Sequence, residues 1–138
     1  LRRARAASLS IIRTTTGAIK AIEQIFPELK NRVSGGCFRV PVPNGSITEI
    51  ILSTETYLSI EEINKAMREA ANGHLKGILG YTEDPIVSTD IIGSKYSCIY
   101  DAQLTSSTNK LIKISGWYDN EMGYSNRMLD LAFIIQGK

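Results

Sequence analysis

The order of hydrophobic periodicities is the feature that most constrains the fold of this chain. Apolar side chains at helical spacing predict helices over residues 17–29 and 60–72, and a third helix that begins after residue 120. Pro27 marks either the frayed end of the first helix or a kink in it. Short β-branched or apolar segments predict strands at residues 37–42, 47–54, 77–81, 86–92, 96–102 and 110–117. Because the strands come in groups rather than singly between helices, the pattern predicts an α+β fold with a mixed, largely antiparallel sheet covered on one face by helices.

The second helix, over residues 60–72, has the clearest boundaries. Ser59 and Glu62 have the spacing of a capping box, in which each side chain accepts a hydrogen bond from the backbone N–H of the other residue. Gly73 stands where a C-terminal helix cap is expected. Helical spacing predicts a buried stripe made of Ile60, Ile63, Met67 and Ala70.

Two further predictions concern the connections between strands. Residues 37–42 and 47–54 flank the turn signal Asn44-Gly45, so we expect them to pair as an antiparallel ribbon. The polar residues 82–85 and 105–109 are typical of turns.

Composition excludes several classes of protein. The chain has 138 residues, 43% apolar and 22% charged, as in an ordinary soluble domain rather than a disordered chain. No apolar run approaches the ~20 residues of a membrane-spanning helix, and no signal-type segment follows the first residues. We expect one compact domain, and the initial Leu1 in place of methionine predicts a piece of a longer protein. Two widely separated cysteines are typical of a reducing compartment.

Positive charge is concentrated near the start of the chain. The basic residues that precede the first acidic residue are Arg2, Arg3, Arg5, Arg13 and Lys20. A nucleic-acid-binding patch is one interpretation, but few aromatic residues lie nearby and no nucleic-acid-binding motif is present. A solvated surface is the simpler interpretation of Arg2 and Arg13.

The threonine-rich turn, residues 14–17, is a candidate anion site because it directly precedes a predicted helix. The free N–H groups and the positive dipole end of a helix attract anions. Threonine hydroxyls donate hydrogen bonds, and Gly17 allows a ligand to approach the backbone closely. A single threonine that caps the helix is the alternative, and the turn taken alone favours that alternative.

Arg39 is a second candidate because it lies in a predicted strand with apolar neighbours, Phe38 and Val40. Such an arginine either extends from a sheet edge into water or binds an oxyanion through two parallel hydrogen bonds. Arg3, Arg5 and the threonine-rich turn would complete a phosphate-binding cradle if the fold brings them together with Arg39.

Nucleophilic and metal-dependent chemistry have little support in the sequence. His74 follows a predicted helix end, and neither Cys37 nor Cys98 lies near it along the chain, so no nucleophile–base pair is evident. Cysteines in strand-like segments usually act as small apolar side chains. Neither a metal-ligand spacing nor the G-x-G-x-x-G pattern of dinucleotide-binding domains occurs in the sequence.

Residues 117–127, with the sequence WYDNEMGYSNR, combine aromatic and polar side chains between a predicted strand and a predicted helix. Ligand-binding residues often occupy such connections. Asn120 either caps the helix or reads a planar amide with its side-chain donor and acceptor. Composition does not separate these two alternatives.

Together, several segments resemble the glyceraldehyde-3-phosphate dehydrogenase family. The likeness is carried by RARAA at residues 3–7, TTTGA at 14–18, FPELK at 26–30, FRVPVPN at 38–44, LKGILGYTEDPIVSTD at 75–90 and WYDNEMGYSNR at 117–127. The resemblance runs in order over nearly the whole chain. It implies that residues 1–138 are a partial C-terminal catalytic domain that includes the C-terminal helix.

The resemblance implies roles for six residues. They are Arg3, Thr16 and Gly17 for inorganic phosphate, Arg39 for the C3 phosphate of the substrate, Asn120 for the nicotinamide carboxamide, and Tyr124 beside the nicotinamide ring. Cys37, Cys98 and His74 match no catalytic position of the family.

The implied activity is NAD-dependent oxidation of glyceraldehyde 3-phosphate with inorganic phosphate, which gives 1,3-bisphosphoglycerate in glycolysis. In the family, a cysteine forms a thioester that phosphate then cleaves. That cysteine, the histidine that activates it and the NAD-binding domain would all precede Leu1, so we expect the chain alone to be inactive. The resemblance also implies a cytoplasmic homotetramer, with neither nucleic acid nor a membrane as partner.

Two alternatives stay open. A segment of erythrose-4-phosphate dehydrogenase would use the same chemistry on a longer aldehyde, although Tyr118 and residues 75–83 favour the glyceraldehyde-3-phosphate enzyme. A non-catalytic structural or interaction fragment is the other alternative. Four residues also depart from the family pattern, where a proline, a valine, a serine and a large residue are usual: Arg13, Gly45, Gly116 and Met122.

Overall fold

A two-stranded ribbon and a separate five-stranded sheet organise the chain in its computed structural model, which describes residues 2–6 and 8–137 apart from the Arg3 side chain. The ribbon belongs to a first unit, Leu1–Pro43, and the sheet belongs to a second unit, Asn44–Lys138. The length predicts one compact domain, whereas the contacts within the chain divide it into these two units.

The first unit contains strand β1 (Ile12–Thr14), helix α1 (Ala18–Ile25) and strand β2 (Cys37–Arg39). The two strands pair antiparallel. Helix α1 ends just before Pro27, as the sequence predicts for its frayed end, because a residue before proline disfavours the helical region. Phe26, which precedes Pro27, has φ −122° and ψ 79°. The chain continues as a 3-10 turn over Pro27–Leu29.

The second unit contains strands β3 (Ser46–Ser53), β4 (Leu79–Thr82), β5 (Cys98–Asp101), β6 (Ser106–Thr108) and β7 (Leu111–Tyr118), with helices α2 (Ile60–Asn72) and α3 (Met122–Ile135). The strand order is β3-β7-β5-β4, and β6 also pairs with β7. Strands β4 and β5 run parallel, and the other pairs are antiparallel. The predicted α+β class with a mixed, largely antiparallel sheet is therefore confirmed.

The predicted ribbon between residues 37–42 and 47–54 is wrong. Strand β3 pairs with β7 over eight positions, from Ser46 opposite Tyr118 to Ser53 opposite Leu111, while β2 pairs with β1. Strand β2 ends at Arg39, and Pro41 cannot donate a backbone hydrogen bond to a ladder. A full ladder with β7 therefore replaces the short local hairpin that the Asn44-Gly45 signal predicts.

Two other segments differ from prediction. Residues 88–93 form turns, so the predicted strand at 86–92 does not form. The Asp90 carboxylate accepts the backbone N–H of Val87 at 2.7 Å and supports a turn in that segment. Residues 105–109 are more than a turn, because β6 lies within them and pairs with β7 next to Asn109, which has a positive φ of 54°.

Helix α2 has the predicted bounds, and its capping box is confirmed. The Glu62 backbone N–H donates to Ser59 Oγ at 3.2 Å, and the Ser59 N–H donates to Glu62 Oε2 at 2.8 Å. Gly73 is the C-terminal cap. In the predicted stripe, Ile63 is buried, whereas Ile60 stays 38% exposed.

A buried polar cluster joins α2 to β5 and the segment after it. Asn64 Oδ1 accepts hydrogen bonds from the hydroxyls of Tyr100 and Thr105, each at 2.8 Å. The Asn64 side-chain nitrogen donates to the backbone oxygen of Ala102 at 3.1 Å. Because every polar atom of this side chain has a partner, the cluster fixes α2 against the sheet.

Helix α3 forms as predicted, but most of its apolar side chains are exposed. Gly123 is the buried residue of α3, and its backbone lies so close to the Tyr96 carbonyl that a Cβ atom would collide with it. The exposed apolar side chains are Met122, Tyr124, Met128, Leu129, Leu131, Phe133, Ile134 and Ile135. Within the described part of the chain, no helix combines the length and apolarity needed to cross a membrane.

Candidate functional site

The threonine-rich turn connects β1 to α1 and leaves the start of α1 open. Thr16 Oγ1 accepts the Ala18 N–H at 3.1 Å, so this hydroxyl partly fulfils the capping role. Gly17 is the N-cap residue, it is exposed, and a Cβ atom added to it would meet nothing within 4 Å. The space next to the free N–H groups of the helix start is therefore accessible to a ligand.

Arg39 lies at the opposite end of the β1–β2 ribbon from the threonine-rich turn. It is paired with Ile12, whereas Cys37 is paired with Thr14, the first residue of the turn. In a β-ribbon, paired residues lie on the same face, and so do residues two positions apart along one strand. Arg39 is paired with Ile12, so it lies on the same face of the ribbon as Thr14. Among the described residues, no hydrogen bond joins Arg39 to Thr16 or Gly17. The side chain of Arg3 lies outside the described residues, so the predicted cradle is not assembled by observed contacts.

An open cleft of about 420 Å³ in the first unit is lined by Arg2, Arg5, Ser10, Ile11, Ile12 and Arg13. Arg13 is held in place because its guanidinium donates to the Thr14 backbone oxygen at 3.1 Å and lies where a Cβ atom of Gly36 would be. Arg2 and Arg13 are exposed, which agrees with their interpretation as solvated residues. Together with Arg5, they also line this cleft.

In the second unit, the connection from β7 to α3 is organised by the carboxylate of Asp119. Asp119 Oδ1 accepts the N–H groups of Glu121 and Met122 at 3.1 and 3.0 Å, and Oδ2 accepts the Gly93 N–H at 2.9 Å. The Asn44 side chain donates to Oδ2 at 3.0 Å. These hydrogen bonds, above all the one from Gly93, hold the pKa of Asp119 well below its ordinary value.

Asn120 does not cap α3, because the carboxylate of Asp119 accepts the N–H groups at the start of that helix. The Asn120 side chain instead accepts the hydroxyl of Ser46 at 2.7 Å through Oδ1, and its backbone N–H donates to Asn44 Oδ1 at 3.3 Å. The remaining group is the side-chain nitrogen, for which the described residues supply no acceptor. The interpretation of Asn120 as the helix cap is therefore wrong.

Tyr124 lies in the first turn of α3 with 71% of its surface exposed. Trp117, at the start of the same aromatic and polar segment, has a structural role, because its indole N–H donates to the buried Asp101 at 2.9 Å. Residues 117–127 thus contain both a residue with a structural contact, Trp117, and an exposed aromatic residue, Tyr124.

Sequence reasoning missed Asn44 and Ser46 as partners of Asn120. The Asn44-Gly45 pair reads as a hairpin turn, and Gly45 does have a positive φ of 93°. A side chain at Gly45 would also meet the backbone oxygen of Ser88. The missing signal is the β3–β7 register, which places Ser46 opposite Tyr118 and so brings it next to residues 119–120.

The cysteines have surroundings typical of structural residues. Burial raises the pKa of the Cys98 thiol, and this thiol occupies the space where a side chain on Gly116 would lie. Cys37 donates a hydrogen bond to the Thr15 backbone oxygen at 3.3 Å. His74 is exposed in the turn after α2. Within the described part of the chain, no cluster of three or more histidine, cysteine or acidic residues could hold a metal ion.

Comparisons with a family model and with known proteins identify relatives from a single family. Residues 1–120 match the family model described as glyceraldehyde 3-phosphate dehydrogenase, C-terminal domain. The chain is 50% identical over 135 residues to glyceraldehyde-3-phosphate dehydrogenase 1 of Streptomyces avermitilis, and equally identical to glyceraldehyde-3-phosphate dehydrogenase 2 of Streptomyces arenae and to the glyceraldehyde-3-phosphate dehydrogenase of Mycolicibacterium smegmatis. Each alignment covers 98% of this chain and 40% of the relative. The chain therefore spans about two fifths of the length of these relatives.

Proposed function

Because the chain belongs to the glyceraldehyde-3-phosphate dehydrogenase family, we propose that it is the phosphate- and nicotinamide-contacting segment of an NAD-dependent, phosphorylating aldehyde dehydrogenase. The proposed substrate is glyceraldehyde 3-phosphate, and the proposed product is 1,3-bisphosphoglycerate, formed in glycolysis. The observation that carries this proposal is the exposed side chain of Asn120, held at the start of α3 with its nitrogen unpaired among the described residues.

The first unit supplies the phosphate-binding groups. We assign inorganic phosphate to Arg3, Thr16 and Gly17, and the C3 phosphate of the aldehyde to Arg39. The open space beside Gly17 supports this assignment, because the positive end of α1 stabilises an anion there. Guanidinium groups stabilise phosphate through paired, charge-assisted hydrogen bonds. The residues assigned to phosphate hold two anionic groups in reactive positions.

The second unit supplies groups that suit the nicotinamide ring. The Asn120 side-chain nitrogen can donate to a carboxamide oxygen, and the exposed ring of Tyr124 in the first turn of α3 offers an apolar face. These two residues therefore fit the nicotinamide end of the cofactor. When bound, NAD supplies the hydride acceptor of the oxidation. Asn120 and Tyr124 orient that acceptor and take no part in proton transfer.

The nucleophile of the reaction is proposed to come from residues outside this segment. Cys98 is unsuited to the role because burial raises the pKa of its thiol and so disfavours the reactive thiolate. The described residues also place no histidine in hydrogen-bond contact with either cysteine. The 138-residue chain alone is accordingly proposed to be inactive.

The oligomeric state and the cellular location are proposed from the resemblance to the glyceraldehyde-3-phosphate dehydrogenase family. We propose a cytoplasmic homotetramer that contains this segment. Strand β3 supports self-association because it lies at the edge of the five-stranded sheet and exposes apolar side chains. These side chains are Ile47, Ile50, Ile51 and Leu52.

The test is a set of substitutions in the full-length protein that contains this segment. Thr16→Ala is expected to raise the KM for inorganic phosphate more than the KM for the aldehyde, and Arg39→Ala is expected to do the reverse. A hydrogen bond to a charged group contributes about 1.5–3 kcal/mol, so the change for Arg39→Ala is roughly tenfold to a hundredfold. Steady-state kinetics with each substrate varied in turn would measure both effects.

The matched control is Arg32→Ala, which removes an exposed guanidinium in the same unit. It is expected to leave both KM values unchanged. Equal effects of Arg39→Ala and Arg32→Ala would contradict the phosphate assignment. Faster turnover of erythrose 4-phosphate than of glyceraldehyde 3-phosphate would replace the proposed substrate with the longer aldehyde.

A further inference from the structure

Resting on the proposed role of Asn120, we propose that three neighbouring side chains hold this residue so that its side-chain nitrogen is the atom left to donate to the ligand. These positioning residues are Asp119, Asn44 and Ser46. Their combined effect is that the segment reads a hydrogen-bond acceptor, namely the carbonyl oxygen of a carboxamide.

Asp119 fixes the backbone on which Asn120 stands. Its buried carboxylate accepts hydrogen bonds from the start of α3, from the Gly93 N–H and from the Asn44 side chain, at distances of 2.9–3.1 Å. Hydrogen bonds to a carboxylate are stronger than those between neutral groups. The short connection between β7 and α3 is therefore tied to three other parts of the second unit.

Asn44 links that anchor directly to Asn120. Its nitrogen donates to Asp119 Oδ2 at 3.0 Å, and its Oδ1 accepts the backbone N–H of Asn120 at 3.3 Å. The same oxygen accepts the Gly45 N–H at 2.7 Å, which holds the Asn44 side chain in its own turn. Asn44 is thus a bridge rather than only a turn residue.

Ser46 selects the direction of the Asn120 amide. Ser46 is the first residue of β3 and is held opposite Tyr118 by the β3–β7 ladder. Its hydroxyl donates to Asn120 Oδ1 at 2.7 Å, so the oxygen end of the amide faces the strand. The nitrogen end is left as a donor, because an amide side chain has one acceptor end and one donor end.

A rigid support matters here because ligand groups on connections lose precision unless neighbouring contacts hold them. Ser46, whose hydroxyl donates to Asn120 Oδ1, belongs to the eight-residue strand β3 rather than to another loop. Removal of the Ser46 hydroxyl frees the Asn120 amide to rotate, while β3 and α3 keep their other contacts. The change would weaken NAD binding specifically.

The experiment uses the full-length protein and measures the dissociation constant of NAD by fluorescence titration, with the KM values for NAD and aldehyde alongside. Ser46→Ala is expected to weaken NAD binding about two- to tenfold, the range that loss of one neutral hydrogen bond gives. The KM for the aldehyde and the midpoint of thermal unfolding are expected to stay near their original values. Ser46→Thr, which keeps a hydroxyl, is expected to restore most of the affinity. The matched control is Ser53→Ala, at the other end of the same strand.

A double-mutant cycle separates this inference from the proposed function. In an Asn120→Ala background, Ser46→Ala is expected to have no further effect on NAD affinity, because Ser46 acts through Asn120. If Asn120→Ala leaves NAD affinity unchanged, the proposed role of Asn120 is wrong. If Asn120→Ala weakens binding while Ser46→Ala behaves like Ser53→Ala, the proposed role survives and the positioning inference is overturned.

The direction of the amide has its own test. Asn120→Asp keeps the size of the side chain but replaces the donor with a second acceptor. Because the inferred ligand atom is a carbonyl oxygen, this variant is expected to bind NAD at least as weakly as Asn120→Ala. Retention of affinity by Asn120→Asp would show that the ligand offers a donor, and the inferred direction would be wrong.

Discussion

At the scale of single residues, one buried carboxylate connects charge to structure. Asp119 accepts hydrogen bonds from three backbone N–H groups and one side chain, and it precedes the residue proposed to read nicotinamide. These contacts favour the charged form and lower the pKa of the carboxyl below the ordinary value of 3.8. Protonation would remove the charge that these donors stabilise.

A prediction about acid stability follows from that direction. Since the pKa of Asp119 is lower in the folded protein, its stabilising contribution is complete above about pH 5 and is lost as the pH falls from there toward the folded-state value. Asp119→Asn should therefore have a lower unfolding temperature at neutral pH, with a gap to the original protein that narrows in acid. Thermal unfolding from neutral to acidic pH measures this.

Asp84→Asn is the matched control, because the exposed carboxylate of Asp84 accepts no hydrogen bond from the described residues. That substitution is expected to leave the acid dependence of the unfolding temperature as it is. A gap between Asp119→Asn and the original protein that stays constant with pH would contradict the linkage.

At the scale of elements, the sequence predicts an element well when residues at its own ends determine where it begins and ends. Helix α2 matches its predicted bounds because Ser59, Glu62 and Gly73 lie at its own ends. The partner of β3 is not predictable in this way, since β7 lies more than 50 residues away along the chain and the nearer turn signal favours the wrong pairing. Strand β6 is missed because its polar residues look like a turn until β7 pairs with them.

The capping box of α2 supports a prediction at this scale. Ser59→Ala removes the acceptor for the Glu62 N–H and should lower the free energy of unfolding by about 1 kcal/mol. Urea unfolding of the protein measures the change. Ser59→Thr keeps an acceptor and should retain most of the stability. An unfolding midpoint that Ser59→Ala leaves in place would show that other contacts determine the start of α2.

At the scale of the whole molecule, charge is distributed unequally between the two units. Residues 1–43 contain eight lysines and arginines and two glutamates, a net charge of +6, whereas residues 44–138 have a net charge of −4. The four ion pairs between described residues all lie in the second unit. The first unit therefore carries an excess of positive charge that none of these ion pairs neutralises.

The salt dependence of substrate binding tests this distribution. The KM of the full-length protein for glyceraldehyde 3-phosphate should rise several-fold as ionic strength increases through about 0.1 M, where charges are screened beyond about 10 Å. The KM for glyceraldehyde, which lacks the phosphate, should change much less. Parallel changes for both aldehydes would assign the salt effect to something other than the basic first unit.

The candidate site was predictable in part. The threonine-rich turn and Asn120 could be singled out as candidates from residue type and position, because helix starts and amide side chains have known chemistry. The partners of Asn120 could not be predicted, since Ser46 reaches it only through the β3–β7 register. The residues proposed to bind phosphate all lie in the first unit, yet Arg39 pairs with Ile12 at the end of the ribbon away from the turn.

The order of synthesis gives the β3–β7 ladder a further consequence. Strand β3 leaves the ribosome well before β7, since 57 residues separate Ser53 from Leu111. At a translation rate of about 5–20 residues per second, β3 waits roughly 3–11 s for its partner. During that time its run of isoleucine and leucine has no native strand beside it. Strand β7 then pairs with β3, β5 and β6, so the arrival of one late segment completes most of the sheet.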